Sequence, residues 1–154
     1  MRQRNRRAAG QGLVEFALVI PVFLLVFMGL VDGGRLIYVY NTVSNAARSG
    51  ARVAVVNQST SGTQTCDTTS TAYPAGCAAS AAIGVGVSPS DVIVTYRSWN
   101  DSGACSPMAM GCLAVVTVTG RFQPLTPIIG QLIGVVTLQS TTMMPVERVC
   151  STGC

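Results

Sequence analysis

Residues 10–56 read "GQGLVEFALVIPVFLLVFMGLVDGGRLIYVYNTVSNAARSGARVAVV", and the way polarity changes along this stretch decides the fold. From Phe16 to Val31 no charged or strongly polar residue occurs. With Gly12, Leu13 and Val14 the run reaches the ~20 residues that a helix needs to cross a hydrocarbon core of ~30 Å. Helical spacing then continues beyond the apolar run. Leu36, Val39, Tyr40, Val43, Ala47, Gly50 and Ala54 fall on one stripe, and Asn41, Ser44, Asn45, Arg48 and Arg52 on the opposite one. A single helix from about Gly12 to about Asn57 would be roughly 65 to 70 Å long, about twice the bilayer core. Its first half suits lipid on every side, and its second half needs a partner on one face.

Four residues interrupt this pattern. Pro21 lacks an amide donor, and Gly29, Gly33 and Gly34 weaken helix preference. They mark either a kinked or flexible joint or the ordinary tolerance of membrane helices for such residues. Gly29 and Gly33 also form a GxxxG, which lets helices approach closely. Glu15 is an acid at the start of an apolar span. On physical grounds alone its carboxylate reaches back to the headgroup layer, because an acid at the bilayer centre costs ~2.5 to 3.5 kcal/mol.

Charge placement sets an orientation. Arg2, Arg4, Arg6 and Arg7 supply the whole formal excess of +4, and the other six arginines balance six acids. Basic residues before the span hold the amino terminus in the cytoplasm and send the carboxyl-terminal domain outside. A cleaved secretory signal would have a shorter apolar run followed by small residues. Here Asp32 and Arg35 stand where that site should be, so retention of the segment is expected. With no basic cluster on the folded part, no nucleic-acid partner is expected.

The chain has no His and no Lys. That excludes Ser-His-Asp and Cys-His arrangements, Schiff-base lysines, Walker-type phosphate loops and His-ligated metals. Cys66, Cys77, Cys105, Cys112, Cys150 and Cys154 all lie beyond the apolar segment and read as a disulfide framework of an exported domain. Sequence proximity favours Cys66 with Cys77, Cys105 with Cys112 and Cys150 with Cys154. Without a CxxC pair, a thiolate metal site is the weaker reading. No metal and no cofactor are expected.

The region beyond the helix, 58–154, reads as a small α+β domain. "QSTSGTQTCDTTSTAYPAG" is loop chemistry and "CAASAAIGV" a short Ala-rich helix. "DVIVTYRSW" and "CLAVVTVTG" are strand-like, with Val92, Val94 and Tyr96 on one face and Ala114, Val116 and Val118 on one face of the next. "QPLTPIIGQLIG" predicts a short helix starting near Pro124 or Pro127. A third strand comes next, from about Val135 to Val149, interrupted or made an edge by Pro145. The simplest packing lays a small antiparallel sheet on the apolar stripe of the long helix.

A basic leader ending in a glycine, a glutamate at the fifth position after that glycine, a long apolar-then-amphipathic helix and a small cysteine-containing domain together resemble type IV pilin-like proteins. More closely, the quoted stretch resembles the TadE-like family of tight-adherence (Flp-type) pilus systems. "VTVTGRFQPLTPIIGQLIG" and "LQSTTMMPVE" are similar to that family's carboxyl-terminal part. The resemblance implies a pilin-like fold and a basic leader, 1–10, removed by a prepilin peptidase between Gly10 and Gln11. The helix, 11–57, and the exported domain then form the mature chain, with Glu15 at its fifth position. It also implies that the new amino group at Gln11 pairs with the Glu15 carboxylate, within one chain or between subunits, offsetting part of the cost of burying both charges.

The function this implies is that of a minor pilin or pseudopilin, acting structurally through helix packing with other pilins rather than as an enzyme. Its partners would be the peptidase, other pilins or pseudopilins and membrane lipid. It would sit in the inner or cytoplasmic membrane, single-pass, or in a cell-surface pilus concerned with adhesion. The alternative is a single-pass, membrane-anchored exported binding protein that never enters a filament.

Overall fold

The computed structural model describes residues 4–56, Cys66, 73–100, 103–105 and 110–149. Helix α1 runs from Arg4 to Ala54 without interruption, with Pro21 inside it. It begins earlier than the apolar pattern suggests, because the Arg and Ala residues before Gly10 are themselves good helix formers. Beyond Ala54 the helix tightens into a last turn, the Val56 amide donating to the Val53 carbonyl at 3.2 Å. The Val55 carbonyl accepts from Glu147 and Arg148, at 3.0 and 3.2 Å. The chain end after the sheet thus caps a carbonyl the helix cannot satisfy itself.

Helix α2, Tyr73–Ala81, comes next, and a 3-10 turn at Ile83–Val85 leaves it. It begins at Tyr73, inside the stretch that reads as loop. The reason is tertiary: Pro74, Ala75 and Gly76 are buried, packed where composition predicts an exposed loop. Strands β1, Val92–Arg97, and β2, Leu113–Phe122, lead to helix α3, Pro127–Ile133, and strand β3, Val136–Pro145. Pro127 opens α3 at the position where a missing amide costs nothing. Pro145 ends β3 at an edge, as its missing donor requires.

The sheet is antiparallel with order β1-β2-β3. Val92 pairs with Val118, Val94 with Val116 and Tyr96 with Ala114, so the two faces read from alternation are the same physical face. On β3, Leu138, Ser140, Thr142 and Met144 stand opposite Gly120, Val118, Val116 and Ala114. This face carries both α1 and α2. The opposite face is threonine-rich, and the Thr117 and Thr141 hydroxyls are 3.0 Å apart across it. The architecture is therefore α+β: a long amino-terminal helix laid on a small antiparallel sheet, a pilin-like layout.

Small residues bring the layers together. Val43, Ala46, Ala47, Ala51 and Ala54 of α1 pack with Ala78, Ala79 and Ala82, and with Val116 and Val118. A Cβ on Gly50 would lie 2.7 Å from the Ala78 Cβ and 3.1 Å from Val116 Cγ1. One on Gly120 would lie 2.5 Å from Val43 Cγ2. Glycine is needed at both crossings because the side chains of Ala78 and Val43 already fill the space a Cβ would take. Tyr40, assigned to the apolar stripe by spacing, is 55% exposed. Ala46 and Ala51 are buried in its stead, since the contact selects small side chains rather than merely apolar ones.

Candidate assembly and membrane-contact site

Helix α1 presents two different surfaces. From Leu13 to Phe27 its large apolar side chains are exposed, Phe16, Leu18, Val22 and Leu24 among them. The helix from Gly10 to Ala54 is long and apolar enough to cross a membrane, and none of its apolar window is buried in the protein. An exposed apolar surface of this size marks a site of contact with a membrane or another protein. Gly10, Gln11 and Glu15 are exposed at its start. Gln11 and Glu15, four residues apart on a helix, lie one turn apart on the same side. Glu15 meets no charged partner among the described residues. The geometry therefore puts a carboxylate one turn from the Gly10–Gln11 bond, on a surface open to lipid or to another helix.

The apolar run ends at a clasp. Asp32 is 5% exposed. Its Oδ1 accepts from the Leu125 amide at 2.9 Å and its Oδ2 from the Thr126 amide at 3.0 Å. Arg35, one turn on, lies 3.5 Å from Oδ1 and sets its guanidinium 5.6 Å from the Phe122 ring centroid. Asp32 thus satisfies the otherwise unpaired amides at the entry to α3 and ties the β2–α3–β3 connection to the end of the apolar segment. In the sequence Asp32 reads only as an obstacle to a signal-peptidase site. Its partners lie more than ninety positions away, and the one local hint is the Thr126-Pro127 helix start.

Of the residues that interrupt the helix, Gly29 faces α3: a Cβ there would meet Ile129 Cδ1 at 3.9 Å. A Cβ on Gly33 or Gly34 would meet nothing within 4 Å. Both glycines of the GxxxG are partly buried, and only Gly29 has a side chain of α3 within contact distance of its Cβ position. Arg48 and Arg52 are exposed on the polar stripe.

In the outer domain Cys66 is bonded to Cys77, with Cα atoms 4.6 Å apart, and Cys105 to Cys112, 6.1 Å apart. The second bond closes the connection between β1 and β2, which is also held by the Cys105 amide donating to the Tyr96 carbonyl at 3.1 Å. Cys150 and Cys154 lie outside the described residues. A cleft of about 490 Å³ lies beside this connection, lined by Trp99, Met110, Leu113 and Pro145. Trp99 is 79% exposed. Tyr96 points inward, its hydroxyl 3.4 Å from the Ala54 carbonyl, and burial pushes its pKa up to about 12. Among the described residues no group of His, Cys, Asp and Glu is placed to hold a metal ion.

Asp91 closes the 3-10 turn Pro89–Asp91 that leads into β1. The Ser88 hydroxyl, at 2.8 Å, and the Ser88 amide, at 3.1 Å, both donate to its Oδ2. These bonds hold the carboxyl below its ordinary value; burial opposes them and Arg121, 3.2 Å away, adds to them.

No curated protein and no solved structure matches the chain. One family model, described as TadE-like protein, matches residues 10–52, so the long helix is similar to that family, as its residues suggest.

Proposed function

We propose that the chain is a minor pilin or pseudopilin of a tight-adherence pilus machine. A prepilin peptidase on the cytoplasmic side removes residues 1–10 by cutting between Gly10 and Gln11. The mature chain stays anchored by α1 with its sheet domain outside, and it acts by packing α1 against other pilin helices. The observation that supports this best is the register at the head of α1. Gly10, Gln11 and Glu15 stand at the start of a membrane-length helix whose apolar side chains are exposed, inside the segment that matches the TadE-like family. The amino group created at Gln11 and the Glu15 carboxylate then neutralise each other, within a chain or between neighbours, where neither finds water. The two disulfides, formed outside the cytoplasm, agree with this orientation.

The test is amino-terminal mass spectrometry of the protein recovered from membranes and from sheared pili. A mature chain beginning at Gln11 in both fractions is the expected result. An uncut chain found alone in the membrane, with no crosslink to pilins, would replace this reading with that of an anchored binding protein.

A further inference from the structure

The connection between β2 and β3 reaches down α1 toward the membrane. Successive contacts run in opposite directions along the two segments: Gly50 beside Val116, Val43 beside Gly120, Asp32 at Leu125 and Thr126, and Gly29 beside Ile129. Gly29 lies two residues before Val31, the end of the apolar run, so α3 overlaps the last ~3 Å of the span. No charged residue occurs between Arg121 and Glu147. At the tip, Leu125, Leu132, Ile133 and Val135 are exposed, Leu132 to 87%. Just outward from them Arg35 and Arg121 line one pocket with Tyr38 and Phe122. This order, apolar tip, then cations and a tyrosine, is the order of a bilayer surface from acyl chains to headgroups.

We infer that α3 and its flanks form a second membrane contact, in which Leu125, Leu132, Ile133 and Val135 enter the acyl-chain border beside α1. Arg35 and Arg121 then stand at headgroup level. The contact rests on the reading of α1 as a membrane span, because depth along α1 is what puts the tip at lipid rather than water. Asp32 makes it rigid: the carboxylate holds the entry to α3 at a fixed height on the helix. The sheet domain is thereby seated on the bilayer at two points instead of swinging from one.

The chain's single tryptophan, Trp99, is at the far end of the sheet and allows a direct test. In the Trp99→Phe background, the full chain carrying Leu132→Trp and a second chain carrying Leu24→Trp are reconstituted into phosphatidylcholine–phosphatidylglycerol vesicles. Both replaced leucines are exposed, so neither change disturbs the protein core. Lipids brominated high on the acyl chain should quench the tryptophan at 132 more strongly than lipids brominated near the terminal methyl. The tryptophan at 24 should be quenched as well, most strongly by deep bromines. If position 24 is quenched and position 132 is not, the second contact is wrong while the span stands. A blue-shifted but unquenched tryptophan at 132 assigns the tip to another protein surface and overturns the lipid assignment. Absence of quenching at 24 overturns the span, and the second contact with it.

Discussion

The two halves of α1 are one uninterrupted helix and obey different packing rules. Between Leu13 and Phe27 the side chains are large and exposed. Between Val43 and Ala54 the buried positions are Val43 and then only Ala and Gly. The first half is apolar all round, and none of its apolar window is buried in the protein. The second half minimises side-chain size because its surroundings are a sheet and a second helix, which admit it only at short range. An apolar stripe drawn by periodicity alone merges these cases, which is why it places Tyr40 inward where the structure exposes it. Asp32 stands near the join, buried by neither lipid nor core but by the entry to α3.

The strongest way to break this comparison is to change function in one half without touching the fold of the other. Glu15→Ala should reduce incorporation into sheared pili by roughly tenfold or more, the effect of losing about 1.4 kcal/mol of pairing. Membrane insertion and the unfolding of the sheet domain should stay unchanged. Unaltered pilus yield in that variant would remove Glu15 from assembly. The reverse substitution is Gly50→Val, which drives a side chain into Ala78 and Val116. It should destabilise the outer domain by about 1–3 kcal/mol in urea unfolding monitored by the circular dichroism of the sheet. Leu24→Ala in the exposed half should change the same measurement by less than about 0.5 kcal/mol.

Asp32→Ala sharpens the join between the halves. It strips the acceptors from the Leu125 and Thr126 amides, so hydrogen exchange at these two positions should accelerate. Exchange in β2 and in α1 beyond Val43 should change little. Acceleration throughout the sheet would show that the clasp supports the whole domain rather than α3 alone.

The smallest effects are those of pH, and they belong to the outer half only. The Asp91 carboxyl lies below its ordinary 3.8, so its contribution to stability is full above that value and is lost as pH falls through the lowered one. Tyr96 lies above its ordinary 10.0, at about 12, so its contribution is full below about 10 and is lost as pH rises toward about 12. Unfolding measured against pH should show both arms. Asp91→Asn should flatten the acid one and Tyr96→Phe the alkaline one.

Much of the architecture is legible in the sequence because it is periodic. The apolar run, the strand faces at Val92, Val94 and Tyr96 and at Ala114, Val116 and Val118, and the proline start of α3 each come from local patterns that hold wherever the segment is placed. The Tyr73 start of α2 is not legible: "AYPAG" has the composition of a loop, and burial against α1 overrides it.

The amino-acid sequence by itself determined that a long helix begins with a stretch apolar enough to cross a membrane, that a small disulfide-bearing α+β domain comes after it, and that the helix resembles the TadE-like family. Those properties come from composition and from spacing within a few turns or a single strand. Only the tertiary structure decided that Gly50 and Gly120 mark close crossings, that Gly29 faces α3, and that Asp32 fastens the entry to α3 to the end of the apolar run. Each of these joins residues tens of positions apart, and their shape and hydrogen-bonding needs become visible only when the backbone has brought them within contact.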